Sequence, residues 1–153
     1  MPDGYADEVR DALLTKAREA WQDDPALDAQ ALGDGSGDDS VSCYLRAYYQ
    51  RVATEDLAAP SRLAAVAEDH ARLGLNRPQG RALVRVGEPS DGQLHPVSRS
   101  GLVVDIVTDD MPYLVDSVTT ELNRHEAEVL LIVHPLLRVR RDVTGALRAI
   151  LGV

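Results

Sequence analysis

The sequence of 153 residues has no phenylalanine, one cysteine and one tryptophan, and aromatic residues make up only 4% of it. A single cysteine excludes a disulfide within the chain and a cysteine-rich metal site. It also fits a reducing compartment, and we expect a cytoplasmic protein. Since 44% of the residues are hydrophobic, the core must be built from aliphatic side chains and a few tyrosines. The length predicts one domain, or a small domain with an appendage.

Long apolar segments and dense positive charge are also missing. The apolar run at residues 129–133 is too short to span a bilayer, and no basic segment followed by an apolar one opens the chain. The net charge is −9, without a basic stripe of the kind that binds phosphate backbones. We therefore expect neither a membrane nor a nucleic acid as a partner.

The negative charge is concentrated in the first quarter of the chain. Residues 1–39 hold 11 acids and 3 bases, whereas residues 40–153 hold 14 acids and 13 bases. This division predicts an acidic helical extension over residues 1–32 and a flexible Gly/Asp linker over residues 33–39. We expect the extension to be solvated and the function to lie in the nearly neutral remainder.

The middle of the chain predicts helices followed by a short strand. Apolar residues recur at three- and four-residue spacing from Val41 to Val52, and Ser40 can cap the start of that helix. A further helix begins at Pro60 and ends at Gly74. Residues 40–80 are therefore predicted to form a helical segment, and the alternation over residues 82–87 predicts a strand.

Residues 81–153 are predicted to form an α/β unit with the order β-α-β-β. The pattern predicts strands at residues 102–108, 129–139 and 146–151, with a helix beginning at Pro112 and a hairpin turn at residues 142–145. This order is the first part of a ferredoxin-like β-α-β-β-α-β unit, without its last helix and strand. In that arrangement the second strand lies at an edge, and residues 82–87 are the candidate to cover the edge beside the first strand. The expected fold class is α+β, with N-terminal helices before an incomplete ferredoxin-like unit.

Several segments carry a resemblance to a known family. Residues 104–118, VDIVTDDMPYLVDSV, are similar to the strand, loop and helix of ACT-type regulatory domains. An ordered series over roughly residues 40–153 resembles the N-terminal region of the large bacterial NAD-specific glutamate dehydrogenases. The series consists of YYQRV at 48–52, EDL at 55–57, ALVRV at 82–86, residues 109–123, and HPLLRVRRD at 134–142.

The resemblance implies a non-catalytic regulatory or assembly module of a NAD-dependent glutamate dehydrogenase. The parent enzyme would deaminate L-glutamate oxidatively to 2-oxoglutarate and ammonia, with NAD bound in a domain outside this chain. The implied partners are the remainder of the dehydrogenase, further copies in a homo-oligomer, and a small amino-acid effector. We expect no cofactor in this chain. Two alternatives remain open, namely a free-standing amino-acid sensor of the ACT type and a purely structural oligomerisation module.

The loop before the helix of the ACT-like unit is the candidate effector site. In ACT-type domains the equivalent loop binds small amino acids, because N–H groups at a helix N-terminus can receive a carboxylate. The alternative is a capping loop in which an aspartate satisfies those N–H groups. The sequence also departs from the family pattern, since Tyr113 and the pair Glu126-Ala127 stand where glycines are expected. The candidate effector residues are Asp109, Asp110, Met111, Pro112, Tyr113 and Leu114.

An interface with the rest of a larger protein is predicted at two clusters. Tyr44, Tyr48 and Tyr49 are the aromatic cluster, and the alternative for them is core packing. Arg138 and Arg140 are the basic part, and the alternative for them is a solvated edge that discourages aggregation. We expect no catalytic residue and no metal site, because no two histidines share a metal-binding spacing.

Overall fold

The computed structural model describes residues 3–22, 24, 27, 32, 39–88 and 101–152. In this part of the chain, three α-helices come first, and four short strands with one further helix follow, which confirms the α+β class. The elements are α1 (Asp3–Ala20), α2 (Ser40–Tyr49), a 3-10 helix (Thr54–Asp56), α3 (Pro60–Gly74), β1 (Leu83–Gly87), β2 (Val103–Val107), α4 (Leu114–Arg124), β3 (Val139–Arg141) and β4 (Leu147–Ile150).

Helices α1, α2 and α3 pack together and supply most of the hydrophobic core. Each presents an apolar face at helical spacing, so that burying the three faces against one another removes them from water. An aromatic ladder runs through the layer, in which Trp21 meets Tyr44 edge-on at 6.1 Å between ring centroids and Tyr44 contacts Tyr48 at 5.6 Å. The helix over the acidic first quarter is therefore an integral part of the core, and the expectation that it is solvated is wrong for its apolar face. That face is buried at Leu14, Ala17 and Trp21.

A single arginine ties α1 to the C-terminal end of α2. Arg10 Nη1 donates to the carbonyl oxygens of Tyr49 at 2.9 Å and Gln50 at 3.1 Å, and its Nη2 donates to that of Val52 at 2.6 Å. The last carbonyls of a helix lack partners within the helix and carry partial negative charge. Arg10 therefore satisfies groups that water or a capping residue would otherwise have to satisfy.

Strands β1 and β2 form an antiparallel pair in which Leu83 faces Val107 and Gly87 faces Val103. This confirms that residues 82–87 cover an edge of the strand predicted at residues 102–108. On β1 the side chains of Val84 and Val86 are 62% and 60% exposed. The pair is therefore buried on the side that faces the helices and solvated along much of β1.

Strands β3 and β4 form the predicted hairpin around residues 142–145. Asp142 Oδ1 accepts from the backbone N–H of Thr144 at 2.8 Å and from that of Ala146 at 3.1 Å, which fixes the turn. The hairpin is joined to the segment after α3, because Leu147 N–H donates to Leu75 O at 2.8 Å and Arg77 N–H donates to Gly145 O at 3.0 Å. These bonds attach the hairpin to the helical layer.

The prediction of a long strand over residues 129–139 is wrong, since within residues 101–152 no strand forms between β2 and Val139. The apolar residues of this run, Leu131, Val133 and Leu137, pack against the core instead. A short apolar run indicates burial without specifying the backbone, and Pro135 removes one backbone donor. The strands of the described residues consequently form two separate antiparallel pairs, β1-β2 and β3-β4.

Smaller differences concern caps and segments outside the described residues. Helix α2 begins at Ser40, and its N-cap is Asp39 rather than the expected Ser40. Helix α4 begins at Leu114, two residues after the expected Pro112. The predicted linker lies outside the described residues except for Asp39, and so does most of the turn-rich stretch expected at residues 88–101.

Candidate functional site

A polar network joins the helical layer to the β1-β2 pair. His70 Nε2 lies 3.1 Å from the carbonyl oxygen of Ile106, so this nitrogen must carry the donating proton. In the neutral ring Nδ1 then accepts from Tyr48 Oη at 2.8 Å, and the same nitrogen lies 4.0 Å from a carboxylate oxygen of Asp105. Across the strand pair, Arg85 Nη2 donates to Asp105 at 2.6 Å. Because Asp105 is buried, this pairing supplies the partners that its charge requires.

The predicted effector loop lies between β2 and α4, and its first acid is engaged in an ion pair. Arg77 Nη2 donates to Asp109, and Arg77 Nη1 donates to Arg81 O at 2.8 Å. Arg77 is buried whereas Asp109 is largely exposed, so the carboxylate covers a guanidinium that is otherwise removed from water. Within the described ranges, no side-chain hydrogen bond caps the N-terminus of α4 at Tyr113, which contradicts the capping alternative for the aspartates. The loop is held by the loop after α3 rather than by its own helix.

Both ends of α4 adopt the left-handed backbone where the family pattern expects glycine. Tyr113, the N-cap, has φ 62°, and Glu126 has φ 58°. At the C-terminal end, Ala127 N–H donates to Leu122 O at 3.1 Å and Glu126 N–H donates to Asn123 O at 3.0 Å. These are the two bonds of a Schellman motif, in which glycine is the favoured residue at the left-handed position. Two residues with side chains therefore occupy left-handed positions, at which glycine has no steric cost.

A second arginine shares a backbone acceptor with Arg77. Arg141 Nη1 donates to Gly145 O at 3.0 Å, the same oxygen that accepts from Arg77 N–H. Among the residues that the structure describes, the buried Nε of Arg141 finds no hydrogen-bond partner. Desolvation, together with the nearby positive charge of Arg77, lowers the pKa of Arg141, while Asp109 acts in the opposite direction. The carboxylate of Asp109 thus accepts a hydrogen bond from Arg77 and also stabilises the positive charge of Arg141.

A large cavity lies next to these arginines, between β2, α4, residues 127–137 and the β3-β4 hairpin. Its volume is about 770 Å³, and Arg77 and Arg141 contribute charged groups to its wall. Tyr48 and His70 bound it on the side of the helical layer. Most of the wall is aliphatic, including Val104, Ile106, Leu114, Val115, Val118, Leu122, Leu131, Val133, Leu137 and Ile150. Cavities that bury small ligands have this combination of a mostly apolar wall and a few polar groups.

The structure divides the predicted effector residues into two sets. Asp109, Asp110 and Leu114 line the cavity, whereas Met111, Pro112 and Tyr113 are exposed outside it. Tyr113 is 78% exposed. An effector role for all six residues stays a prediction.

The predicted interface residues are also divided. Tyr44, Tyr48 and Tyr49 are all buried, and their burial raises their pKa values. The hydroxyls of Tyr44 and Tyr49 donate to carbonyl oxygens of α3 at 2.9 and 2.8 Å. The packing alternative accounts for these contacts, which are all within the chain. Arg138 and Arg140 are exposed on and beside β3, and their interface role stays a prediction.

Two findings concern metals and membranes. Among the residues that the structure describes, no group of three or more His, Cys, Asp or Glu side chains could hold a metal ion. Over the same residues, no helix is both long enough and apolar enough to cross a membrane.

Arg77 is the residue of this site that sequence reasoning missed. Its partner Asp109 is 32 positions away, and no local periodicity or motif connects the two. Arg141 belongs to a visible basic run, but the sequence does not distinguish it from exposed Arg140. The alternation of β3 is the signal that could have separated them, since neighbouring strand residues point to opposite faces.

The helices, the antiparallel strand pairs and the β2-loop-α4 segment together define an α+β module of the ACT-like kind. Residues 44–152 match the family described as glutamate dehydrogenase, ACT1 domain. Because the match covers more than half of the chain, the chain belongs to that family. No solved structure matches the chain.

Proposed function

We propose that this chain is a non-catalytic regulatory and assembly module of a NAD-dependent glutamate dehydrogenase. The observation that carries the proposal is the family match over residues 44–152, which includes α3, the strands and α4. The parent enzyme would convert L-glutamate to 2-oxoglutarate and ammonia, and its NAD would bind outside this chain. A bacterial source and a cytoplasmic location belong to the same proposal, and the single cysteine, Cys43, is compatible with a reducing compartment.

The pairing of the polar groups supports a non-catalytic role. Asp105 is bound by Arg85, Asp109 by Arg77, and His70 by Tyr48 and a backbone carbonyl. These side chains hold elements together, which is a structural use of charge. The predicted boundaries at residues 32, 39 and 80 are part of the proposal.

The proposal is tested on the full protein encoded by the gene. If the reading frame continues into a dinucleotide-binding domain, deletion of residues 40–152 should leave glutamate oxidation by NAD measurable. The same deletion should change the oligomeric state seen by light scattering, because Arg138 and Arg140 are proposed to contact the rest of the enzyme. Turnover of glutamate and NAD by the purified 153-residue chain would contradict the non-catalytic role.

A free-standing amino-acid sensor is the second candidate, and the loop at residues 109–114 favours it. This loop places Asp109 and Asp110 beside the N-terminal end of α4 and at the cavity. Thermal unfolding of the chain with a panel of amino acids tests the idea. A rise in Tm with one amino acid, lost in Asp110→Asn, would favour a sensor, and no response to any of them would contradict it.

A purely structural oligomerisation module is the third candidate, and the exposed valines of β1 favour it. Val84 and Val86 lie on one face of the strand and are both more than half exposed. An additional strand or a second copy could bury them. Val84→Lys with Val86→Lys should shift an oligomer to monomer in light scattering, and a monomer that does not depend on concentration in the parent chain would exclude this candidate.

A further inference from the structure

The apolar segment before β3 has the side-chain pattern of a strand but no strand partner. Leu131, Val133 and Leu137 pack against the core, whereas Leu130 and Ile132 are 46% and 47% exposed. Alternation with a period of two is the pattern of a β-strand. Within the described residues, however, no backbone hydrogen bond joins residues 128–137 to another residue. The backbone donors and acceptors of this segment are therefore available to a further strand.

The hydrogen bonds of the β3-β4 hairpin reach the end of this segment and fix which side of it can be paired. Arg138 N–H donates to Gly152 O at 2.8 Å, and Leu151 N–H donates to Arg138 O at 2.7 Å. Both backbone groups of Arg138 thus face the β4 side. In an antiparallel strand every second residue faces the same side, so that the backbone groups of residues 136, 134, 132 and 130 would face it too. A continuation of β4 beyond Gly152 would meet these groups.

Pro135 is compatible with this register. Proline has no backbone N–H, and within sheets it is tolerated where the backbone nitrogen faces away from the neighbouring strand. Pro135 is three positions from Arg138, so in an extended segment its nitrogen would face away from the β4 side. A ladder on that side would therefore lose no donor at Pro135, whereas a ladder on the opposite side would.

The cavity of about 770 Å³ lies where such a strand would run. Residues 127–137 and β2 both line it, and Leu147 and Ile150 of β4 belong to the same wall. Among the described residues β2 pairs with β1 alone. A small ligand in this cavity would leave the backbone groups of residues 130–136 to water, whereas a strand supplies a donor and an acceptor for each bonded residue. The backbone of this segment therefore favours a strand as the occupant.

We propose that the residues following Gly152 in the parent enzyme continue β4, form an antiparallel ladder with residues 130–136 and fill the cavity. This inference rests on the proposed function, because it requires the module to be part of a longer protein. Covalent continuity with β4 gives this strand a high effective concentration at the cavity. The strand would lie between residues 130–136 and β2, and would so connect the two strand pairs. In the 153-residue chain the segment stays outside both pairs.

Amide hydrogen exchange at single-residue resolution tests the ladder, on the full parent enzyme and on the 153-residue chain. Amides that face the β4 side should exchange at least about 100-fold more slowly in the parent enzyme than in the chain, because a ladder bond must open before they exchange. These are the amides of Leu130, Ile132, His134 and Leu136. The amides of Leu131 and Val133 face away from the new strand, so they should slow by less than about tenfold.

A matched pair of variants at Ile132 separates the backbone bond from the side chain. Ile132→Pro removes the donor, and Ile132→Ala removes most of the same side chain but keeps the donor. In the parent enzyme the proline variant should speed exchange at Leu130 and His134 at least about tenfold, and the alanine variant less than about threefold. In the 153-residue chain the two variants should melt alike, because the Ile132 amide has no partner among the described residues there. Circular dichroism shows whether each variant is folded.

The outcomes separate this inference from the proposed function. Equal slowing of even- and odd-numbered amides would overturn the ladder, because burial alone does not alternate along the backbone. No slowing in a parent enzyme that oxidises glutamate with NAD would overturn the inference and leave the proposed function standing. Slow exchange in the 153-residue chain that increases with protein concentration would assign the strand to a second copy and overturn the inference. A gene product without a dehydrogenase domain would contradict the proposed function and this inference together.

Discussion

Helices α2 and α4 both carry an apolar stripe but have very different surroundings. Helix α2 buries six of its ten residues, including Leu45, which is fully buried, whereas α4 buries none of its eleven. The difference lies in what covers the stripe. Helices α1 and α3 enclose α2, whereas α4 borders an open cavity. An amphipathic pattern therefore identifies the face of a helix that can be buried, and only the tertiary structure shows how far it is buried.

The largest expected effect compares leucines on the two helices. Leu45→Ala should lower the free energy of unfolding by about 2–5 kcal/mol, because the lost side chain leaves a cavity in a closely packed core. Leu122→Ala on α4 should cost less than about 1 kcal/mol, since this side chain is only half-buried. Urea unfolding of both variants measures the difference. Equal losses would mean that α4 is as well packed as α2.

The contact between the β3-β4 hairpin and the loop after α3 can be broken at Gly145. A Cβ at this position would lie 2.4 Å from the carbonyl oxygen of Arg77, and its φ of +93° disfavours any side chain. Gly145→Ala should therefore destabilise the chain by more than about 2 kcal/mol. Gly80→Ala is the control, because Gly80 also has positive φ but no atom of the described part of the chain lies within 4 Å of the added Cβ. We expect that control to cost about 1 kcal/mol in thermal or urea unfolding, and a similar loss for the two variants would exclude a steric clash at Gly145.

Substitutions at the left-handed ends of α4 should raise the stability of the chain rather than lower it. Tyr113→Gly and Glu126→Gly should each raise the free energy of unfolding by about 0.5–1 kcal/mol, because glycine adopts the left-handed backbone without steric cost. Gln50, the C-cap of α2, has an ordinary helical backbone, and Gln50→Gly should therefore destabilise. Differential scanning calorimetry separates a gain from a loss. A lower Tm for both α4 variants would show that the side chains of Tyr113 and Glu126 contribute more than their backbone costs.

The smallest expected effect is a pH dependence in the hairpin. Hydrogen bonds from the Thr144 side chain and then from Arg148 hold the pKa of Asp142 well below its usual range. Because the folded-state pKa is lower than the unfolded one, the stabilisation is present above the unfolded pKa of about 4 and is lost as the pH falls below it. Asp142→Asn should flatten the loss of stability between about pH 5 and pH 2, measured by urea midpoints. An unchanged slope would show that Asp142 does not contribute to it.

The sequence predicts the helices, strands and turns that short local residue patterns determine. The spacing of apolar residues in α2 and α3, the alternation in β1 and the Asp-Val-Thr-Gly turn all predict the observed elements, because short-range backbone preferences determine them. The strand predicted at residues 129–139 does not form, because an apolar run can be buried equally well by packing against helices. Such a run therefore predicts burial but not the backbone conformation. The Arg77–Asp109 pair could not be predicted, because the fold brings together two loops that no local pattern relates.

The hydrogen bonds from Arg10 to three backbone carbonyls have a practical consequence for anyone who shortens the chain. A version trimmed to the matched residues 44–152 would lack α1 and its guanidinium, and would begin inside α2. The face of α3 that α1 covers would then be open to water, and the carbonyl groups of Tyr49 and Val52 would lose their donor. Newly exposed apolar surface of this kind promotes aggregation. Recombinant production should therefore keep the acidic first helix, even though the family match begins after it.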